Sequence, residues 1–103
     1  MLFRSSHRKV LKKLRLKISR NINVRKVTEV LFSRDILDEN DREEILAQTT
    51  TQYKALHLLD LLSRRGSEAF QVFLEALYGS GAVYLANAIQ SECSGMGKLF
   101  DFI

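Results

Sequence analysis

The residues that could perform catalysis or hold a metal ion are few in this sequence and poorly placed for either task. The two histidines, His7 and His57, lie on different predicted helices, and neither has a nucleophile and a carboxylate at a triad-like spacing. The single cysteine, Cys93, lacks a second soft ligand for zinc and a partner for an internal disulfide. We therefore expect no enzyme, no small-molecule substrate, and no metal or cofactor site. The lone thiol indicates a reducing compartment.

Residues 63–70, SRRGSEAF, are the second place where residue types and spacing could do chemistry. Arg64 and Arg65 precede Ser67 at the spacing of a basophilic kinase site, which makes Ser67 a candidate phosphorylation site. The same residues could form a basic phosphate-binding loop, but a single glycine is weak evidence for one. They also fit a joint between two helices, with Gly66 in a left-handed conformation and Ser67 capping the next helix. The sequence favours the joint.

Positive and negative charges are segregated along the chain. Residues 1–34 contain eleven bases and one acid, whereas residues 35–44 contain six acids and one base. The remaining four bases and five acids nearly balance, so the net charge of +4 hides this division. A uniformly basic domain would favour nucleic acid or an anionic membrane, whereas opposite segments can each meet their complement on another protein. The pattern therefore indicates a protein partner, including a second copy of this chain.

The elements that must position these charges are short helices. The chain has no proline, and its apolar residues recur at spacings of three and four. This pattern predicts an all-α fold, a compact antiparallel bundle of six helices joined by tight turns. The predicted helices are residues 6–22, 24–34, about 41–48, a helix after the threonine run at 49–51, a helix between residues 66 and 79, and residues 82–91.

Several details of these helices can be predicted from single residues. Leu16 interrupts the apolar stripe of the first helix, which predicts a bend there. Either Asp38 or Asn40 can cap the third helix. By spacing, Tyr53, Phe70 and Phe73 are core residues. The segment Gly95-Met96-Gly97 is expected to end regular structure.

Several segments resemble the caspase recruitment domain (CARD) family. The most specific is LLDLLSRRGSEAFQVFLEAL at 58–77, with a leucine-rich helix, an Arg-Gly joint, and Ala-Phe followed by Phe and Leu. ILAQTT (45–50) and YLANAI (84–89) are similar to neighbouring helices of the family, and HRKVLKKLRLKI (7–18) and VLFSRDIL (30–37) to its first two. The chain most resembles initiator-caspase prodomains and the adaptor RAIDD, but lacks the proline that members usually carry near position 63 or 67. We assign residues 1–92 to the domain and 93–103 to a short C-terminal tail.

The resemblance implies a six-helix Greek-key bundle of the death-fold class that binds other CARDs without catalysis. It also implies that a basic surface on the first and fourth helices meets an acidic surface on the second and third helices of a partner. In this sequence the basic surface would comprise Arg8, Lys12, Arg15, Lys54, Arg64 and Arg65. The acidic surface would comprise Asp35, Asp38, Glu39, Asp41 and Glu44.

These expectations favour a CARD-only protein that occupies the CARD of an initiator caspase or an adaptor, as a decoy, and so inhibits caspase recruitment in apoptosis. The alternative is a prodomain or adaptor fragment that promotes caspase activation. Mixed charge also permits head-to-tail self-association. A cytoplasmic location is expected, with no membrane partner, because the chain has neither an apolar run of about 20 residues nor a secretory apolar region.

Two further alternatives stay open. The first 28 residues hold ten bases and no acid, which is also the composition of a mitochondrial transit peptide. The same bases could neutralise phosphates in a basic helical nucleic-acid-binding module. That region has Phe3 as its single aromatic residue and no recognised reading motif, which counts against nucleic acid.

Overall fold

A computed structural model describes the backbone of residues 5–65 and 67–101 and the side chains of residues 7–65 and 68–92. Every element in this part of the chain is helical, so the predicted all-α fold is confirmed. The helices are α1 (Ser5–Lys13), α2 (Arg15–Asn21), α3 (Val24–Ser33), α4 (Glu39–Leu46), α5 (Thr51–Leu62), α6 (Ser67–Gly79) and α7 (Val83–Asp101). None of these described helices is long and apolar enough to cross a bilayer.

The predicted first helix is divided into α1 and α2 at Leu14. The Leu14 amide donates to the Val10 carbonyl at 3.0 Å and the Ile18 amide donates to the Leu14 carbonyl at 2.8 Å, so helical bonding continues across the division. The Leu14 backbone has φ −96° and ψ 7°, which departs from helical values, so the division is a bend. It lies two residues before the predicted position, Leu16, and it separates the part that packs on α7 from the part that packs on α5.

The start of α4 is held by a capping box. The Asp38 carboxylate accepts from the Asp41 amide at 2.8 Å, and the Asp41 carboxylate accepts from the Asp38 amide at 3.1 Å. Two of the amides that a helix start leaves without partners are thereby satisfied. Of the two predicted caps, Asp38 is therefore the one used, and α4 starts at Glu39, two residues earlier than predicted.

Two helices end in the same left-handed turn. After α3, Asp35 has φ 63°, and the Ile36 amide donates to the Leu31 carbonyl at 3.0 Å. After α6, Gly81 has φ 90°, and the Ala82 amide donates to the Leu77 carbonyl at 2.9 Å. Both are Schellman motifs, which place a left-handed residue just after the helix.

The turn at Gly81 gives a stability prediction. A Cβ at Gly81 would meet no atom within 4 Å, so Gly81→Ala would introduce only the left-handed backbone penalty. We expect it to lower the free energy of unfolding by roughly 1–2 kcal/mol in urea titrations. The matched control is Gly79→Ala, which also has open space but lies within α6. That change should raise stability by roughly 0.5–1 kcal/mol. Effects of the same sign in both variants would contradict the assignment of the turn.

The core collects one face of each helix. Phe70 and Phe73 are buried as predicted, but Tyr53 is 57% exposed, so its core assignment was wrong. Steps of three residues drift by about 60° around a helix with 3.6 residues per turn. The inward direction of α5 is set by Leu58 and Leu62, and this drift places Tyr53 on the opposite side.

The predicted end of the last helix was also wrong. The backbone of α7 stays helical through Gly95 and Gly97 to Asp101. A glycine inside a helix costs only about 1 kcal/mol, so it weakens a helix without ending it. The division of the chain at residue 92 into a domain and a tail stays a prediction.

Candidate protein-interaction surfaces

Four of the six predicted basic residues line a single groove between the first two helices and α5. Arg8 and Lys12 come from α1, Arg15 from α2, and Arg64 from the turn after α5. The groove has a volume of about 470 Å³. The other residues that line it are Leu11, Leu59, Asp60 and Ser63. It is therefore a basic groove with an apolar floor and one carboxylate.

Two of the arginines in this basic groove are fixed by contacts with α5. Arg15 Nη1 donates to Asp60 Oδ1 at 2.8 Å and Arg15 Nη2 to Asp60 Oδ2 at 3.4 Å. Arg8 Nη2 donates to the carbonyl oxygen of Ser63 at 3.2 Å. These bonds orient the guanidinium groups before a partner arrives, which reduces the entropy lost on binding.

The other two cations of the basic groove are available to a partner. Lys12 and Arg64 are exposed, and no described carboxylate forms an ion pair with either. Since Arg15 is neutralised by Asp60, most of the net positive charge of the groove comes from Arg8, Lys12 and Arg64. These are the groups with which an incoming acidic surface would form new contacts.

The remaining predicted basic residues do not join this groove. Lys54 is half-buried on α5 and does not line it. Arg65 turns to the other side and donates from Nη2 to Oδ2 of Asp41. The structure therefore brings together Arg8, Lys12, Arg15 and Arg64, and separates Lys54 and Arg65 from them.

The predicted acidic residues lie on and beside α4, and all but one are exposed. Asp35 follows α3, Asp38 precedes α4, and Glu39 and Glu44 lie on α4 itself. Asp41 is the exception, with only 8% of its surface exposed. Its carboxylate already serves the capping box and Arg65, so it has little capacity for a partner.

Sequence reasoning missed part of this site. Asp60, Ser63 and the apolar floor of the basic groove were not predicted as site residues. A local signal was present, because Asp60 on α5 lies only four residues before Arg64 in the turn that follows. The pairing of Arg65 with Asp41 crosses 24 residues of sequence and had no local signal.

The comparisons with known proteins bear on the family of this chain. The sequence model of the caspase recruitment domain family matches residues 8–92, which include the basic groove and the acidic residues. The chain belongs to this family. CARDs are protein-interaction domains without catalytic function, and they associate with other CARDs in caspase and apoptosis signalling. The predicted family membership is thereby confirmed.

This CARD is also similar to caspase-2 of Gallus gallus. The two are 31% identical over 83 residues, which is 81% of this chain and 20% of caspase-2. The chain therefore spans about a fifth of the length of that relative. The similarity is confined to the CARD-containing part of caspase-2 and does not reach the rest of that enzyme.

Both histidines of this CARD contact side chains of other helices. The His7 ring stacks on the Phe70 ring with 3.8 Å between centroids and 6° between planes. His57 Nε2 lies 3.3 Å from Glu44 Oε2, which links α5 to α4. Gly66 and the side chain of Ser67 lie outside the described residues, as does the side chain of Cys93. The joint itself is present, because α5 ends at Leu62 and α6 begins at Ser67.

Proposed function

We propose that this CARD binds the CARDs of initiator caspases or their adaptors, with its basic groove receiving an acidic surface of the partner. The observation that carries the proposal is the convergence of Arg8, Lys12, Arg15 and Arg64, from three separate segments, on one groove. The apolar floor at Leu11 and Leu59 adds area that can be buried at the centre of the contact.

The acidic counterpart of the proposal is the exposed set on and beside α4. Asp35, Asp38, Glu39 and Glu44 would meet the basic groove of a second CARD, which includes a second copy of this chain. Such a contact is heterologous, so it can repeat head to tail. We assign Asp41 and Arg65 a supporting role, because their mutual contact fixes the start of α4. Lys54 would act at the periphery.

The proposal also includes the helix count and the order of the helices in the bundle. Helical bonding continues across Leu14, so α1 and α2 can be counted as one bent helix. The chain would then have six helices in the Greek-key order of the death-fold class. This arrangement would present the basic groove and the acidic set on different sides of one bundle.

We propose that the effect of binding is inhibition, in which the CARD acts in the cytoplasm as a decoy for caspase recruitment during apoptosis. A CARD that occupies a partner's surface without delivering a protease would reduce recruitment. The alternative is a prodomain or adaptor fragment that promotes activation. An assay of caspase activation with added wild-type CARD separates the two by its sign.

Phosphorylation would be one way to regulate this CARD. Ser67 is the first residue of α6 and follows Arg64 and Arg65 closely, so it stays a candidate site for a basophilic kinase. Mass spectrometry of the protein from kinase-active cells tests this assignment.

The binding proposal predicts a strong dependence on salt. We expect the affinity for the isolated CARD of an initiator caspase, such as caspase-2, to fall at least tenfold between low and physiological salt. The contact is dominated by partly exposed charges, and these are screened within a Debye length of about 8 Å at physiological ionic strength. Calorimetric titration measures the affinity. A duplex DNA of mixed sequence serves as the control ligand. Absence of CARD binding at low salt, or tighter binding to DNA, would contradict the proposal.

A further inference from the structure

Leu16 is a large apolar side chain that the fold leaves in solvent. It is 56% exposed, whereas Leu11 and Ile18 on the same bent helix are buried. Its neighbours on the helix surface are cations, with Lys12 and Lys13 four and three residues before it and Arg20 four residues after it. Helical bonding continues across Leu14, so these spacings do place them together. Leu16 is therefore an exposed apolar residue within a group of positive charges.

An exposed aromatic ring of α7 lies beside these cations. Lys17 Nζ lies 5.7 Å from the centroid of the Tyr84 ring, and Tyr84 is 55% exposed. Val83, the neighbouring residue on α7, is also exposed. We define the outer basic face as the surface formed by Lys9, Lys13, Leu16, Lys17, Arg20 and Tyr84.

The outer basic face has little compensating negative charge. Among the described residues, one carboxylate forms an ion pair with it, that of Glu92, which lies 3.1 Å from Lys13 Nζ. None of its residues lines the basic groove, although Lys12 borders both surfaces, and Arg8 and Arg15 bond to Ser63 and Asp60 on the groove side. The proposed CARD contact therefore leaves the outer basic face unused.

We propose that the outer basic face docks this protein on the surface of an anionic lipid membrane. Lysine and arginine side chains near such a surface are attracted by its negative potential, and each contributes to binding. Leu16 and the Tyr84 ring would enter the boundary between headgroups and acyl chains, while the long cationic side chains reach back to the headgroups.

A membrane surface fits this face better than a nucleic acid does. A phosphate backbone offers negative charge but no apolar phase for Leu16, whereas an anionic bilayer offers both side by side. The apolar side chains of α1 and α2 that face inward are already buried in the core, so docking is shallow. It should therefore be reversible and sensitive to salt. The expectation of no membrane partner rested on the absence of an apolar run of about 20 residues and of a secretory apolar region, and it treated Leu16 only as a break in the apolar stripe.

Vesicle sedimentation tests the proposal with the whole chain. We expect wild-type protein to sediment with vesicles of phosphatidylcholine and phosphatidylserine at low salt, and to stay in solution with phosphatidylcholine alone. Leu16→Ser should lower the partition coefficient about tenfold. The double variant Lys9→Gln/Arg20→Gln should lower it about 25-fold, since each cation contributes about fivefold.

The matched control is Arg25→Gln/Lys26→Gln, which removes the same charge from exposed positions on α3. It should change the partition coefficient only a few-fold. All three variants carry exposed substitutions, and circular dichroism with thermal unfolding verifies that each is folded. An equal loss in the control pair, or no loss in Leu16→Ser, would show diffuse attraction by net charge and overturn the proposal. So would failure of the wild type to sediment, or tighter binding to duplex DNA that the same variants weaken.

Discussion

Replacing Lys12 by glutamate is expected to lower the affinity of this CARD for an acidic CARD partner about a hundredfold. Lys12 is exposed in the basic groove and has no ion pair within the described residues, so its charge is available to a partner. The substitution replaces this cation by a carboxylate, which would face the acidic surface of the partner. Like charges juxtaposed in an interface cost several kcal/mol, and a hundredfold loss corresponds to about 2.7 kcal/mol.

This variant should remain folded, since an exposed substitution of this kind changes the free energy of unfolding by about 0.5 kcal/mol or less. Titration calorimetry against the CARD of an initiator caspase measures the affinity. The control is Lys26→Glu, an equal charge reversal on α3. Similar losses in the two variants would mean that net charge, rather than the groove, controls binding. Recovery of affinity with a partner in which an acidic contact residue is changed to lysine would identify the opposing group.

Replacing Asp41 by alanine is expected to be the most destabilising of the changes to charged residues, at about 2–4 kcal/mol. One carboxylate accepts from the Asp38 amide at 3.1 Å, and it also receives a bond from Arg65. Loss of the bond from the Asp38 amide costs about 0.5–1.5 kcal/mol, and loss of a hydrogen bond to a charged group about 1.5–3 kcal/mol. The lower part of the summed range is appropriate because Arg65 is about one-third exposed and can be solvated when its partner is lost.

Urea unfolding of Asp41→Asn, Asp38→Ala, Arg65→Gln and the double variant, each compared with Asp41→Ala, separates the two contributions of Asp41. Asp41→Asn keeps an oxygen that can accept from the Asp38 amide, so it should lose mainly the charge of the ion pair. Asp38→Ala should lose mainly the cap, at about 1 kcal/mol. Arg65→Gln in combination with Asp41→Ala completes a double-mutant cycle, which should give a coupling energy above about 0.5 kcal/mol. A stability of Asp41→Ala within 0.5 kcal/mol of wild type would be incompatible with this role for the carboxylate.

The Asp41–Arg65 contact also bears on how the two predicted surfaces are related. Asp41 belongs to the acidic segment and Arg65 to the basic turn after α5, yet the two neutralise each other within one molecule. The contact holds the start of α4 in place and thereby orients the exposed carboxylates around it. Arg64, the adjacent residue, is left to line the basic groove. One turn thus contributes one arginine to the fold and one to the proposed binding site.

The sequence by itself determined the fold class, most of the helices and the core aromatic residues Phe70 and Phe73. Helical periodicity is a local property, because residues three and four apart share a face whatever the tertiary fold is. The cap at Asp38 and the change from α5 to α6 were predictable for the same reason, since both depend on residues close in sequence. The segregation of charge and the family resemblance were likewise sufficient to predict an interaction domain.

Only the tertiary structure decided which charges are available for binding. Arg15 and Asp60 are 45 residues apart, and Arg65 and Asp41 are 24 apart, so these pairs form only when particular helices pack together. Packing also decided that Tyr53 and Leu16 face solvent, because a stripe of apolar residues does not specify which part of a wide arc faces the core. Packing thereby brings four of the six predicted basic residues together in one groove. Two of their guanidinium groups are held in place by hydrogen bonds, and the other two cations form no ion pair with a described carboxylate.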